Sequence, residues 1–264
     1  MSIMKKRTIL PLIALCSAFA LMLTFSLTSS YLMDKETADN IITIGDVQVS
    51  IEESDFDPNS SHPAAAGTVI PKSPKVTNTG TNDEYVFLEI DVPKKNVTLL
   101  CESDGVPTGK TRGQKINNEP SDDEIFKILV STDTDNSRIT GYSEPNKVFS
   151  YHSGSSDSTG RDGWYYISSE TSEITIDSKK YTKYIFGYNK KLAKGQSTKT
   201  LFDKVQLKSF IDAELTGTDA NVDIKVKAYG IQADEIGINP ETNGYLTSEN
   251  AGKILTILKN KQVM

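Results

Sequence analysis

Cysteine, histidine and tryptophan are scarce: two Cys, two His and one Trp in 264 residues. Two cysteines exclude a disulfide scaffold, and with only two histidines there is no Cys/His zinc cluster. Base is also in short supply, with 29 Lys and Arg against 35 Asp and Glu, a net charge of −6. A nucleic-acid binder presents a basic surface, so no nucleic-acid partner is expected. Lys5, Lys6 and Arg7 are the only charges in the first 30 residues. Without them 26 bases face 35 acids, a balance of −9. A chain that acidic repels anionic lipid, nucleic acid and acidic polymers. Hydrophobic residues make up 37%, below the usual ~45–50%, a range that also counts Gly; long polar loops are therefore expected. The charged fraction of 24% is ordinary and argues against disorder throughout.

There is a single long apolar run, and it lies at the N-terminus. Lys5-Lys6-Arg7 precedes Thr8–Leu27, which is almost wholly Leu, Ile, Ala, Phe and Met, and Thr28-Ser29-Ser30 supplies small residues. Basic, apolar, small is the order of a secretory signal peptide, here residues 1–30, with cleavage between Ser30 and Tyr31. The alternative is a retained anchor, since about 20 apolar residues span a bilayer. Cys16 lies in the middle of the run, and Leu15 stands where a lipobox needs a small residue, so lipidation is not expected. Cleavage removes Cys16 and leaves Cys101 as the single thiol. Cys101 ends the apolar run Val97-Thr98-Leu99-Leu100 and reads as buried and inert, with pairing between molecules as the alternative.

Beyond residue 30 the chain reads as β. Ile42-Thr43-Ile44 leads to Val47, Val49 and Ile51, which share one face at period two. In Glu84–Val92 the residues Val86, Leu88, Ile90 and Val92 alternate with Tyr85, Phe87, Glu89 and Asp91, and the two carboxylates assign their own face to water. Val222, Ile224, Val226 and Ala228 alternate with Asp223, Lys225 and Lys227 as another half-buried strand. Weaker strands are expected at Ile125–Val130, Lys147–Tyr151, Trp164–Ile167, Glu173–Ile176, Tyr181–Tyr188 and Thr198–Leu207. Strands punctuated by Gly, Asn, Asp and Pro predict an all-β fold, an antiparallel sandwich, without the intervening helices of an α/β protein. Glu102–Asp123 and His152–Gly163 are polar and read as surface loops. Thr247-Ser248-Glu249-Asn250 is a helix start, and Ile254, Leu255, Ile257 and Leu258 recur at helical spacing, so a short amphipathic helix is expected over 247–261.

Catalytic patterns are incomplete. Gly105-Val-Pro-Thr-Gly109-Lys110-Thr111 has three residues between its glycines where a phosphate loop has four, and no apolar helix follows. His62 and His152 are 90 residues apart and neither sits in a helical zinc-peptidase pattern. A Ser–His–Asp triad assembles in space, but no Ser occupies a Gly-x-Ser-x-Gly elbow. No catalytic residue and no cofactor is therefore assigned, and the chain is not expected to be an enzyme. Asp55, Asp57 and Asn59, the pair Asp133 and Asp135, and the pair Asp157 and Asp162 carry oxygens of the kind that ligate calcium, but none belongs to a complete calcium loop; they read as solvated turn acids. Tyr151, Trp164, Tyr165, Tyr166, Tyr181, Tyr184 and Tyr188 read as sheet packing in preference to a glycan-stacking platform.

Several segments, in order, resemble the TasA/camelysin family. Ser30-Tyr31-Leu32-Met33-Asp34, followed by Asn40-Ile41-Ile42-Thr43-Ile44-Gly45, is similar to that family's post-signal segment and first strand, with Ile42 in place of Phe. Gly67-Thr-Val-Ile-Pro-Lys72 and Lys75-Val76-Thr77-Asn78-Thr79-Gly80 resemble its Pro-Gly…Lys…Val-x-Asn-Thr-Gly block, with Ala66 where the Pro stands. Tyr85–Val92 resembles the next strand and Val226–Ala233 the closing one. The likeness covers residues 1–92 and about 222–233, and 93–221 reads as an insertion-rich middle. It implies a jelly-roll-like sandwich over 31–264 as one exported domain, a dedicated SipW-type signal peptidase, and a secreted, cell-surface or biofilm-matrix location.

The same resemblance implies self-association into fibres by lending an N-terminal strand, Asn40, Ile42, Ile44, Val47 and Val49, to a neighbour, with an accessory anchor protein as a further partner. Membrane contact is expected only through the uncleaved signal. Strand addition needs an extended segment and an open sheet edge. A monomeric surface-binding or adhesion module is the alternative. The metallopeptidase activity attached to the camelysin branch finds no metal site among these residues and is the less favoured reading.

Overall fold

The alternation of Glu84–Val92 produces the longest strand, and the fold is arranged around it. The computed structural model describes residues 48–52, 66–102, 109–131, 136–138, 149–158, 160–211, 222–241 and 243–261. Its strands are β1 (Val49–Glu52), β2 (Val69–Pro71), β3 (Lys75–Asn78), β4 (Glu84–Val97), β5 (Ser121–Glu124), β6 (Phe126–Leu129), β7 (Asn136–Arg138), β8 (Ser150–His152), β9 (Trp164–Tyr166), β10 (Ser172–Ile176), β11 (Lys179–Tyr188), β12 (Lys204–Leu207) and β13 (Lys225–Gln232). Among the described residues one α-helix, α1 (Ser248–Lys261), follows near the C-terminus. The fold is the expected all-β antiparallel sandwich with a short C-terminal helix.

The large sheet runs β10-β11-β4-β13, with β5 paired to the far end of β4 and β9 to the end of β11. Facing it are the three-stranded sheet β2-β12-β6 and the two-stranded pairs β1-β3 and β7-β8. In the large sheet Leu88 stands opposite Phe186 on β11 and Ala228 on β13, and Ile90 opposite Tyr184 and Val226. This register places one row from each strand on the same face. Val86, Leu88, Ile90 and Val92 pack there with Val49, Ile70, Val76, Phe126, Ile128 and Val205 from the smaller sheets. Trp164, Tyr184, Tyr188 and Tyr151 belong to this core and Tyr166 packs against it, so the aromatic residues are packing groups. Tyr181 is buried as well, while Tyr165 is half-buried. Cys101 is buried and free.

The opposite face of β4 is not wet. Tyr85 and Phe87, with Ile185, Tyr229 and Ile231, are covered by Ile254, Leu255 and Leu258 of α1 and by Ile167, Ala233, Ile236 and Leu246. Glu89 and Asp91 are buried too. The expectation of a water-facing row is therefore corrected: β4 is a central strand covered on both faces, and its carboxylates are compensated by β13. The close approach of α1 is permitted by Gly187, whose place in β11 would put a Cβ 2.9 Å from the Phe87 ring and 3.3 Å from Ala251.

Both polar segments read as loops carry structure. The first ends in β5, and its boundary residues Glu102 and Asp123 are buried. The second is stitched at every turn. Gly163 N donates to Asn189 Oδ1 (3.0 Å), and Asn189 Nδ2 donates to the carbonyls of Ser155 (3.1 Å) and Arg161 (2.7 Å). Arg161 reaches back to Ser153, and Asn243 bonds the carbonyls of Ser156 and Asp157. Polar composition here reflects internal hydrogen bonding as much as solvent exposure.

Candidate assembly segment and its attachment

Of the expected assembly residues, Asn40, Ile42, Ile44 and Val47 lie outside the described residues, as do Ser30 and Tyr31. Val49 opens β1 and is buried in the inter-sheet core. β1 pairs antiparallel with β3, Val49 opposite Asn78 and Glu52 opposite Lys75, and among the described residues β3 is its one ladder partner. At its far end Glu52 meets Lys75 at 2.8 Å and accepts from Thr77 Oγ1 at 2.7 Å. These contacts, Lys75 first, hold the Glu52 carboxyl below its ordinary pKa.

The near end is fixed by backbone. Gln48 carbonyl accepts from the amides of Thr79 (2.7 Å) and Gly80 (3.0 Å), and its amide donates to Glu84 Oε1 at 3.1 Å. Asn78 shapes the receiving turn. Its Oδ1 accepts from Gly80 N at 2.8 Å, an Asx turn, and its Nδ2 donates to the carbonyls of Asn82 (2.8 Å) and Leu192 (2.9 Å). The block Val76-Thr77-Asn78-Thr79-Gly80 is thus the socket of the N-terminal strand. On its other side β3 exchanges bonds with the 195–198 segment, where Val76 N donates to Thr198 Oγ1 and Thr198 N to the Val76 carbonyl.

Sequence reasoning missed Glu84, though a signal was present. It falls on the same alternating row as Val86, Leu88, Ile90 and Val92, where a charge is out of place. Glu84 is fully buried, its Oε2 has no hydrogen-bond partner among the described residues, and burial pushes its carboxyl up to about 7 against the lowering effect of the Gln48 amide.

Other polar clusters are structural ties. Lys227 Nζ bridges Glu89 Oε1 (2.7 Å) and Asp91 Oδ2 (3.0 Å), and Tyr229 hydroxyl donates to Glu89 Oε2 at 3.0 Å. Burial first, then the neighbouring Glu89, raises the Asp91 carboxyl to about 6. Burial lowers the Lys227 ammonium, but the two carboxylates outweigh it and leave its pKa above the ordinary value. Glu102 forms a buried ion pair with Lys127. His152 Nε2 meets Asp203 Oδ1 at 2.9 Å; His62 lies outside the described residues. Lys110 of the phosphate-loop-like segment donates to the carbonyls of Lys115 and Ile116, which makes it a turn brace.

Of the acids considered for calcium, Asp157 Oδ1 accepts from Gly160 N at 3.1 Å and Asp162 pairs with Lys190 at 3.5 Å. Asp55, Asp57, Asn59, Asp133 and Asp135 lie outside the described residues. Among the described residues no three His, Cys, Asp or Glu side chains converge as a metal site, and no helix is long and apolar enough to cross a membrane.

In comparisons with known proteins, no family model, no curated protein and no solved structure matches the chain.

Proposed function

We propose that this chain is an exported structural protein of the cell surface or biofilm matrix, a fibre subunit that assembles through its N-terminal strand and performs no catalysis. The observation that carries the reading is the attachment of β1. The strand is short, is held by a backbone ladder to a single partner among the described residues, and is led by the segment in which the sequence places both the export signal and the apolar strand residues. A backbone ladder of this kind transfers between copies without new side-chain chemistry. Such a contact is heterologous and does not close on itself, so it grows a filament. Among the described residues Val69 is the one large hydrophobic side chain left exposed, which favours association by strand pairing over association by an apolar patch.

Negative-stain electron microscopy of the concentrated exported protein tests the proposal. Filaments are expected from the intact chain and none from a chain lacking residues 40–51. Filaments from the shortened chain refute strand-mediated assembly, and an intact chain that stays monomeric with a nucleating partner present supports a surface-binding module instead.

A further inference from the structure

Glu84 stands where the N-terminal strand enters the domain. Its backbone exchanges two 2.9 Å hydrogen bonds with Leu192, so the side chain has a fixed origin. Oε1 takes the Gln48 amide, and among the described residues Oε2 has no hydrogen-bond partner. Among the described residues the neighbours offer no counter-charge. Gln232 lies opposite on β13, and Asn78 has both arms committed to the turn. Asp83 and Lys191 pair with each other at 2.8 Å and, with Asp234, act on the Tyr85 hydroxyl, which belongs to the opposite row of β4. Lys190 is engaged with Asp162, and Lys75 with Glu52 at the other end of the ladder.

A buried carboxylate with one donor is badly compensated, and the neutral carboxyl costs less because it buries no charge. The Gln48 amide on Oε1 by itself favours the ionised form, and burial outweighs it. We propose that lifting the strand admits water to this carboxyl and that Glu84 is thereby a proton-operated catch on β1: its protonated carboxyl holds the strand on its own domain, and ionisation releases the strand. The sign follows from proton linkage. The attached state binds the proton more tightly than the detached state, so attachment is fully favoured below the ordinary carboxylate range and weakens as pH rises toward about 7. The catch deepens the assembly reading and rests on it for its purpose: acid keeps β1 at home, and near-neutral surroundings free it for another copy.

Hydrogen-exchange protection factors of the Val49–Glu52 amides, measured on dilute exported protein, test the catch. Protection should fall by up to about tenfold per pH unit between about pH 5 and 7, and should stay below that of the amides in the middle of β4, which report global unfolding, so that the loss reads as local detachment. Glu84→Gln keeps an acceptor for Gln48 and removes the charge, so its protection should be high and independent of pH over that range. A flat wild-type profile, or a slope that survives in E84Q, overturns the proposal. Should E84Q fail to fold, the carboxyl carbon resonance of Glu84 in the wild type decides: a midpoint more than one unit above the ordinary value supports the catch, and an ordinary midpoint overturns it. Filaments without the pH slope count against the catch alone, and the slope without filaments counts against assembly alone.

Discussion

Asp91 is completely buried on a strand whose alternation assigns it to water. Its compensation comes from residues more than a hundred positions away, since β13 places Lys227 opposite Glu89 and within 3.0 Å of Asp91. Lys227→Met should therefore destabilise the protein by about 2–3 kcal/mol in denaturant melts at pH 8. That is less than the ~3–5 kcal/mol of a fully buried pair, because a quarter of the lysine side chain is exposed. The cost should shrink at pH 5, where the raised Asp91 carboxyl is protonated and there is less charge to compensate. A cost independent of pH would mean that Lys227 acts through packing. Both faces of β4 are covered, so Phe87→Ala should cost about 3–5 and Leu88→Ala about 2–5 kcal/mol by the same measurement.

At the scale of the element, the β10-β11 hairpin shows local sequence deciding register. Asp177 and Ser178 both take positive φ, 49° and 64°, which is a type I′ turn whose twist matches that of the strands. The turn sets Ile176 opposite Lys179 and, through it, the whole pairing of β10 with β11. The helix obeys a different constraint. Its apolar face, Ile254, Leu255 and Leu258, is legible from periodicity, but its seat on the sheet depends on the missing side chain at Gly187. Gly187→Ala should lift α1 and cost about 1–3 kcal/mol, read as a lower melting temperature with increased exchange of the helix amides. An unchanged melting temperature would show that Phe87 yields freely. The socket of β1 depends on one side chain in the same way. Asn78→Ala removes three hydrogen bonds, one to the Gly80 amide and two to the carbonyls of Asn82 and Leu192, and should cost about 1–3 kcal/mol while lowering the protection of β1 amides before that of β4.

For the whole molecule, one expectation concerns the N-terminus and another the dependence of stability on pH. Sequencing of material recovered from the cell surface should begin within a few residues of Tyr31; recovery of an intact Lys5 in the membrane fraction would favour a retained anchor. Two buried carboxyls, Glu84 and Asp91, also have pKa values raised by burial, to about 7 and about 6. The folded state binds their protons more tightly than the unfolded chain does. Their contribution to stability is therefore present below the ordinary carboxylate range and is lost as pH rises through about 6 and 7. The double variant Glu84→Gln, Asp91→Asn should flatten the pH dependence of the denaturant midpoint over that interval.

The sequence by itself determined the fold class, most strand positions and the C-terminal helix, because alternation, helical spacing and turn residues act within a few positions of one another. The core row Val86, Leu88, Ile90 and Val92 was legible for that reason. The covering of the opposite row was not, since no local pattern announces that α1 lies over Phe87 or that Lys227 reaches Asp91. The short strands β2, β3, β5 and β7 escaped periodicity because three or four residues hold too few alternations to register. The order within 153–163 was hidden by its polar composition, because Asn189 and Arg161 satisfy that loop from within the fold. β1 could be read as a strand, but its seat at Asn78 and the burial of Glu84 beside it required the tertiary structure. A buried carboxyl acquires its meaning from the backbone amide that faces it, and here that amide arrives from 36 residues away.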